Sequence, residues 1–295
     1  MSYIIPWTRV NFFGKGSVVR PLADRSSDLA SKLRIGCSGW SYDDWVGPFY
    51  PRGTEKSAYL RLYSQALDVV EVDSSFYHLP SPATAAAWRR STPDGFLFTA
   101  KMPKEITHEK KLAGVQNALE RVYGSLGELR EKLAVLVVQL PPSVRYEKHF
   151  ETLKVFVNAL DENIRHAIEF RHDSWFRGEV YSVLRARGIA TVWSQNQYLA
   201  TPPAMTADFA YLRLVGERDI QRFDRIVKDR AKEMESWRRR LEGTASDIGL
   251  AFVILNNHYA GFSPGSVNQF REMAGLRPVA FPAAASAQRS LGEFG

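Results

Sequence analysis

Residues 166–175 have the sequence HAIEFRHDSW, a short apolar run that ends in charged and aromatic groups. The side chains of an extended strand point alternately to opposite faces, so Ile168 and Phe170 share one face while Glu169 and Arg171 share the other. One face of this strand is therefore apolar, and the other carries an acid and a base. The same pattern recurs along the chain and predicts a repeated architecture.

Eight apolar runs of this kind alternate with segments of helical spacing, which is typical of parallel strands buried on both faces. The strands are predicted at residues 34–40, 68–73, 96–101, 134–139, 166–170, 189–194, 210–215 and 250–257. The helices are predicted at residues 58–66, 115–133, 146–160, 178–187 and 220–241, with one more beginning at Ser81-Pro82 and a last one ending near Gly275. No helix is predicted after the sixth strand.

This alternation predicts an α/β fold, a single (β/α)₈ TIM-type barrel. We expect the barrel at residues 34–275, an N-terminal extension at residues 1–33 and a loose C-terminal tail at residues 276–295. An open doubly wound sheet is the alternative, but no G-x-G-x-x-G motif follows a strand to support it.

The composition is ordinary for a globular protein, with 45% hydrophobic and 24% charged residues. No apolar run reaches the roughly 18 residues that a membrane-spanning helix needs, and no secretory signal pattern opens the sequence, so we expect a cytoplasmic protein with no membrane partner. The single cysteine, Cys37, excludes an internal disulfide, and its apolar surroundings favour a packed thiol over a nucleophile. The sequence gives no indication of an oligomeric state.

Strand alternation also predicts which polar residues face the barrel interior. The side of each strand that faces the helices must be apolar, so the polar residues on the other side point inward, at the C-terminal mouth where active sites of this fold lie. These residues are Glu71, Asp73, Lys101, Glu169, Arg171 and Arg213, and Gln139 and Asn256 or Asn257 lie near strand ends. Buried ion pairs, such as Glu169 with Arg171 or Lys101 with Glu71, are the structural alternative to a site.

The charge of this inward set suggests an anionic ligand. Counted without Asp73, two carboxylates oppose three cations, so the mouth is net positive and suits a phosphate, sulfate or carboxylate held by bidentate arginines. We predict Glu71, Lys101 and Glu169 as the catalytic residues. The two glutamates would act as general acid and base, and the lysine as a proton donor, an electrostatic stabiliser or a Schiff-base former.

Aromatic and histidine side chains just beyond the strand ends extend the predicted site. Flat rings there would stack on a sugar or a nucleobase, and a hydrophobic lid that includes Trp45 is the alternative. His108 and His172 are candidate acid/base groups, and hydrogen-bonded surface histidines are the alternative. The predicted substrate-binding residues are Trp40, Tyr77, His108, Gln139, Arg171, His172, Trp175, Arg213 and Asn256.

No cofactor is predicted. A divalent metal held by Glu71, Glu169 and His172 is an alternative, but the sequence has no H-E-x-x-H motif or comparable ligand spacing to support it.

Several spaced motifs in one order make residues 34–275 similar to the YecE-like family. The motifs are Gly36-Cys37-Ser38-Gly39-Trp40-Ser41-Tyr42, Phe49-Tyr50-Pro51, Val70-Glu71-Val72-Asp73-Ser74-Ser75-Phe76-Tyr77, Pro93-Asp94-Gly95-Phe96, Lys101-Met102-Pro103, Ile106-Thr107-His108, Gln139-Leu140-Pro141-Pro142, Glu169-Phe170-Arg171-His172, Ser174-Trp175-Phe176, Tyr211-Leu212-Arg213 and Asn256-Asn257. The resemblance implies a (β/α)₈-type barrel and no particular reaction. The sequence departs from the family pattern at Asp73, Ser194 and Val215, where asparagine, aspartate and histidine are common.

Together these observations predict an enzyme that performs acid/base hydrolysis or isomerisation on a small anionic, sugar- or nucleotide-like substrate. A nucleic-acid-binding module is the first alternative, because the formal net charge is +7 and basic residues recur at Arg89, Arg90, Lys110, Lys111 and 238–240. A barrel that binds a metabolite without catalysis is the second alternative.

Overall fold

The structure, a computed structural model, describes residues 28–195 and 199–284 and contains a closed barrel of eight parallel strands. The strands are β1 (Leu33–Ser38), β2 (Val69–Val72), β3 (Leu97–Lys101), β4 (Leu133–Gln139), β5 (His166–Glu169), β6 (Ala190–Gln195), β7 (Phe209–Leu214) and β8 (Leu250–Leu255). Each strand pairs with the next in the sequence, and β8 pairs with β1 to close the barrel. The predicted (β/α)₈ TIM-type fold is confirmed.

The α-helices around the barrel lie in the connections between the strands or, for the last two, after β8. They are α1 (Tyr59–Ala66), α2 (Pro82–Ser91), α3 (Gln116–Leu126), α4 (Tyr146–Ala159), α5 (Gly178–Ala186), α6 (Ala231–Gly243), the single turn α7 (Asn257–Ala260) and α8 (Ser263–Met273). Short 3₁₀ turns follow several strands, and α3 continues into one at Gly127–Lys132. As predicted, no helix lies among the described residues of the connection between β6 and β7.

Local signals in the sequence explain where α2 begins. The hydroxyl of Ser81 accepts a hydrogen bond from the backbone N–H of Thr84 at 3.1 Å, and Pro82 occupies the first turn, where its missing N–H costs nothing. This is the N-cap arrangement that the sequence predicts.

Two helix boundaries differ from prediction for tertiary reasons. The helix predicted at residues 220–241 begins only at Ala231, because the preceding residues make hydrogen bonds to other loops. The N–H of Phe223 donates to Asp44, and the N–H of Val227 donates to the carbonyl of Ala260. The helix predicted at residues 115–133 ends as an α-helix at Leu126, and Arg130 in the turn that follows has a left-handed φ of 51°.

Side chains divide between the two faces of the strands as predicted. The interior cluster consists of Val69, Ala134, Val135, Val137, Ala167, Ala190, Val192, Phe209, Tyr211, Phe252 and Ile254. The alternate residues, including Val70, Phe98, Ile168 and Leu212, pack against the helices in a larger cluster. Because side chains alternate with a period of two, residues 71, 169 and 213 continue the interior face toward the C-terminal mouth.

The segment after α8 is partly ordered by packing. Asn268 exchanges two hydrogen bonds with the backbone of Val279, and the ring of Phe281 lies 5.1 Å from that of Phe49. The predicted tail from residue 276 thus includes residues 276–284, whose backbone and apolar side chains find partners on the barrel. The rest of the predicted tail, residues 285–295, and residues 1–27 of the predicted N-terminal extension lie outside the described residues.

In the part of the chain that the structure describes, no helix is long and apolar enough to cross a membrane.

Candidate active site at the C-terminal mouth of the barrel

A buried arginine, Arg213 on β7, joins the two predicted catalytic glutamates. Its Nε and Nη2 donate to the carboxylate of Glu71 on β2 at 3.0 and 2.7 Å, and its Nη1 donates to Glu169 on β5 at 2.5 Å. The side chains of all three are at most 2% exposed. One guanidinium thus connects three strands across the barrel interior, and its planar fork explains why an arginine suits this position.

The Glu71 carboxylate receives further donors from the barrel interior. The hydroxyl of Tyr211 donates to it at 2.9 Å, and the hydroxyl of Ser38, whose one hydrogen is shared with the nearer Asp73, lies 3.1 Å from it. Thr99 in turn lies 2.7 Å from the Tyr211 hydroxyl. Burial, and the negative charge of Glu71, raise the pKa of Tyr211 well above its usual range, so the phenol stays protonated and keeps donating.

The Glu169 carboxylate is held from three sides. Besides Arg213, the Nε2 of Gln139 and the Nε of Arg171 each donate to it at 2.9 Å. Burial alone would raise the pKa of Glu169, but the charges of Arg213 and Arg171 and the Gln139 hydrogen bond outweigh burial and hold this pKa far below its usual range. Glu169 is therefore a carboxylate at any ordinary pH and cannot serve as a general acid in this arrangement.

Asp73, just after β2, forms a second ion pair at the mouth. Its Oδ1 lies 2.5 Å from the Nζ of Lys101, and its Oδ2 accepts a hydrogen bond from Ser38. Burial opposes ionisation of this carboxyl as well, yet Lys101 and Arg213 lower the pKa of Asp73 below its ordinary value. The lysine thus pairs with Asp73 and not with Glu71, the partner considered from the sequence.

The sequence count without Asp73 predicts a net positive mouth. The structure instead shows a balanced one. Three carboxylates, on Glu71, Asp73 and Glu169, balance three cations, on Lys101, Arg171 and Arg213. We call these six residues the charged ring. The count from the sequence was wrong because Asp73 belongs to the same network, two residues beyond Glu71 on the same face.

Two cations of the charged ring reach toward solvent. The side chain of Lys101 is 14% exposed and that of Arg171 is 30% exposed, against 2% for Arg213, and Asp73, the partner of Lys101, is also 30% exposed. Among the described residues, Arg171 uses only its Nε for a hydrogen bond, which leaves its two terminal nitrogens available. The predicted role of Arg213 as an anion clamp is not supported, because the two glutamates occupy its Nε and both terminal nitrogens.

His108 and Tyr77 lie on the loops beside these two cations. The His108 ring contacts the Phe76 ring edge-on at 4.9 Å, and Phe76 contacts the ring of Tyr77, which is 62% exposed. Burial lowers the pKa of His108, and the charges of Arg171 and Lys101 lower it further. These contacts bring four predicted site residues, Lys101, His108, Arg171 and Tyr77, to one side of the mouth.

Other predicted site residues are committed to packing or capping. Trp175 is fully buried, its Nε1 donates to the carbonyl of Val144, and its ring stacks on Phe170, so it has no face for a ligand. Trp45 is also fully buried. For these two rings the hydrophobic alternative is correct, because the surrounding aromatic groups cover them on all sides.

The remaining predicted residues lie at the mouth in local roles. Trp40 is half-buried and packs edge-on against Trp88 at 5.2 Å. Asn256 caps α7 by accepting from the N–H of His258 at 3.0 Å. His172 is 26% exposed, and its Nδ1 lies 2.9 Å from the hydroxyl of Ser174. None of these contacts excludes a ligand, but each explains the residue without one.

Three residues of the network, Ser38, Thr99 and Tyr211, were not among the predicted site residues. Strand alternation gives a signal for two of them. Tyr211 lies two residues before the inward Arg213, and Ser38 lies at the end of the first strand, two residues after Gly36. The pairing of Ser38 with Glu71 in the β1–β2 register brings the hydroxyl to the carboxylate. That register depends on barrel closure and is not visible in the sequence.

The structure locates some of the residues on which the metal and nucleic-acid alternatives depend. Within residues 28–195 and 199–284, no three His, Cys, Asp or Glu side chains are grouped so as to hold a metal, because Glu71 and Glu169 face Arg213. On α6, Arg238 and Arg239 pair with Glu235, and Arg240 lies over the ring of Trp237. Two of the three arginines at residues 238–240 are therefore paired with carboxylates of their own helix.

Comparisons with known proteins give relatives in several bacteria. The chain is 24% identical to the UPF0759 protein YunF of Bacillus subtilis over 278 residues, which span 83% of this chain and 98% of that protein. It is 27% identical to the UPF0759 protein YecE of Escherichia coli over 158 residues, 53% of this chain and 55% of that protein. The crystal structure of a DUF72 family protein from Thermotoga maritima superposes with a TM-score of 0.69 at 27% identity, over 83% of this chain and 99% of that one.

The resemblance seen in the motifs extends over nearly the whole barrel, and the model of one family matches residues 34–290. The chain belongs to the family described as "Protein of unknown function DUF72".

Proposed function

We propose that this protein is an enzyme that binds a small anionic, sugar- or nucleotide-like molecule at the barrel mouth and performs acid/base chemistry on it, either hydrolysis or isomerisation. The observation that carries the proposal is the unequal exposure within the charged ring. Arg213 is buried between two glutamates, while Lys101 and Arg171 extend from the same network toward solvent. A network built only for stability has no need of two partly exposed cations on one side.

The buried part of the charged ring supports the exposed part. Glu169 accepts from the Nε of Arg171, which orients the guanidinium, and neither terminal nitrogen of Arg171 has a hydrogen-bond partner among the described residues. Asp73 holds the Lys101 ammonium in the same way. In this proposal Glu71 and Glu169 act through Arg213 and Arg171 as positioning residues, and Lys101 is the residue that contacts the substrate. Pre-organised cations of this kind stabilise negative charge that develops during a reaction.

The neighbouring side chains suit a ligand with both an anionic group and a ring. Tyr77 presents an exposed aromatic face beside His108, and such faces stack on sugars and nucleobases. An anion bound by Lys101 and Arg171 would place the rest of the molecule within reach of these two residues. The proposed ligand class is therefore a phosphorylated or carboxylated ring compound.

A thermal-shift screen tests this proposal. The probes are inorganic phosphate, phosphorylated sugars, nucleotides, carboxylates, divalent metals and short oligonucleotides, with Lys101→Met and Arg171→Ala beside the wild type. A ligand that binds only the folded protein raises the melting midpoint by mass action. Arg61→Ala is the matched control, since Arg61 is exposed on α1 outside the mouth. We expect a small anion to raise the wild-type and control midpoints.

Lys101→Met and Arg171→Ala, the two mouth variants, show whether the anion binds at the mouth. Each lost charge-assisted hydrogen bond is worth about 1.5–3 kcal/mol, so Arg171→Ala should weaken binding by roughly 10- to 100-fold. A small-anion shift that is unchanged in both mouth variants contradicts the proposal. A shift produced only by oligonucleotides, and abolished by salt, would instead support the nucleic-acid alternative.

A further inference from the structure

The buried Glu71 and Glu169 are poorly placed to transfer a proton to or from a substrate. Each oxygen of Glu71 and Glu169 already accepts at least one hydrogen bond. His108, by contrast, is half-buried at the mouth, and within the described residues its Nε2 forms no hydrogen bond. An imidazole with one nitrogen bound to the protein and the other open is the usual arrangement of a general base.

The loop that carries His108 has an unusual and well-anchored backbone. Glu105–Glu109 form a π-helical turn, a geometry that is frequent at functional sites. Two successive non-glycine residues, Lys111 and Leu112, then have left-handed φ values of 48° and 72°. Ile106 and Leu112 are buried, so core packing holds this strained turn in place. The loop therefore fixes the position of His108 and is not a free connection.

The Thr107 hydroxyl contacts one of the two ring nitrogens of His108. The buried Thr107 hydroxyl lies 3.2 Å from the carbonyl of Pro103 and 2.9 Å from the Nδ1 of His108. A hydroxyl has one hydrogen, so if Thr107 donates to Pro103 it must accept from an Nδ1–H. This pairing uses both capacities of the buried hydroxyl and leaves the lone pair on Nε2.

The charged groups near His108 come from three elements. Lys101 acts on the ring from β3, Arg171 from the loop after β5, and Glu109 from its own turn. The same cations disfavour the imidazolium, so the ring remains neutral near pH 7.

We propose that His108 is the general base of the mouth, acting through Nε2, and that Thr107 is a positioning residue that fixes the Nδ1–H tautomer. This inference deepens the proposed function and rests on it. In the step, Nε2 accepts a proton from a substrate C–H or O–H group, or from water. The electron pair stays on the donor atom, where Lys101 and Arg171 stabilise its negative charge. His108 becomes an imidazolium and returns the proton later in the reaction.

Nitrogen NMR of the ligand-free protein tests the tautomer. In protein with ¹⁵N-labelled histidine, two-bond correlations show which ring nitrogen is protonated, and His108→Asn assigns the signals. We expect the Nδ1–H form in wild type. Thr107→Val removes the acceptor at nearly constant volume and should yield a mixture of tautomers, whereas Thr107→Ser should retain the wild-type form. A wild-type Nε2–H signal, or a Thr107→Val spectrum identical to wild type, overturns the assignment.

Chemical modification tests whether Nε2 is an available base. Diethyl pyrocarbonate acylates unprotonated, accessible imidazole nitrogens, and peptide mass spectrometry gives a rate for each histidine. We expect His108 to react at a rate comparable to that of the exposed His78, while the buried His166 reacts far more slowly. An unreactive His108 refutes the base role. Neither measurement needs a substrate, so these results are independent of the ligand screen.

Discussion

Arg213→Met should strongly destabilise the fold, because it removes the cation that two buried carboxylates share. Glu71 is fully buried and Glu169 is 1% exposed. Removal of one partner from a buried ion pair costs roughly 3–5 kcal/mol. Each glutamate keeps at least one other donor, Glu71 from Tyr211 and Glu169 from Gln139 and Arg171, so we expect a value within this range and not its double.

Urea unfolding followed by tryptophan fluorescence measures this loss. With a urea dependence on the order of 3 kcal/mol/M for a chain of this size, the midpoint should fall by about 1–1.7 M. Arg239→Met on α6 is the control, because Arg239 is 72% exposed and exposed ion pairs contribute about 0–1 kcal/mol. Arg213→Lys keeps the charge without the bidentate fork and should lie between the two.

The pH dependence supplies an independent check. In wild type the pKa of Glu169 is held below its unfolded value, so its contribution to stability is present above about pH 4.5 and is lost as the pH falls further. Without Arg213, fewer positive charges offset the effect of burial, which raises the pKa of Glu169. The difference between wild type and Arg213→Met should therefore be large at pH 7 and smaller near pH 4. A loss under 1 kcal/mol, or one independent of pH, would refute the assigned role of Arg213.

Two further predictions concern stability. Gly216→Ala should lower the melting midpoint much more than Gly188→Ala. Both glycines have left-handed φ values, but a Cβ on Gly216 would lie 2.3 Å from the carbonyl oxygen of His258, whereas the space around Gly188 is open. Equal losses in the two variants would contradict this. Burial lowers the pKa of His166 from 6.5 to about 4, so the folded state binds fewer protons than the unfolded one in this interval, and stability should fall by up to about 3 kcal/mol as the pH drops from 7 to 4. His166→Gln should lose this part of the pH dependence in urea unfolding, and an unchanged slope would show that the histidine does not cause it.

Strand alternation accounts for what the sequence could predict. A period of two is a property of the backbone, so the apolar identity of Ile168 and Val70 was enough to place Glu169 and Glu71 inside the barrel. Eight such strands alternating with helices favour a closed barrel, although an open doubly wound sheet also covers both faces. The helix boundaries were less certain wherever a loop forms tertiary hydrogen bonds, as residues 220–230 do before α6.

Partner choice within the site could not be predicted in the same way. Alternation fixes the face of a side chain but not its distance from groups on strands across the barrel. Arg213 therefore could be recognised as an inward cation, while its bond to both glutamates could not. Likewise, nothing in the sequence distinguishes Trp175, which is sealed in the core, from Tyr77, which is exposed, since each follows the end of a strand.

The balanced charge of the ring has a consequence for how such a site can diversify. Asp73 offsets Lys101 from a position just outside the strand, whereas the contacts of Arg213 are built into the strands themselves. A chain with asparagine at residue 73 would keep nearly the same shape, release the ammonium from its counter-ion and leave the mouth with one excess positive charge. A single nucleotide change can make this exchange. Lineages could thus tune the attraction of the mouth for anions by drift at one residue, without disturbing the interior scaffold that holds the barrel together.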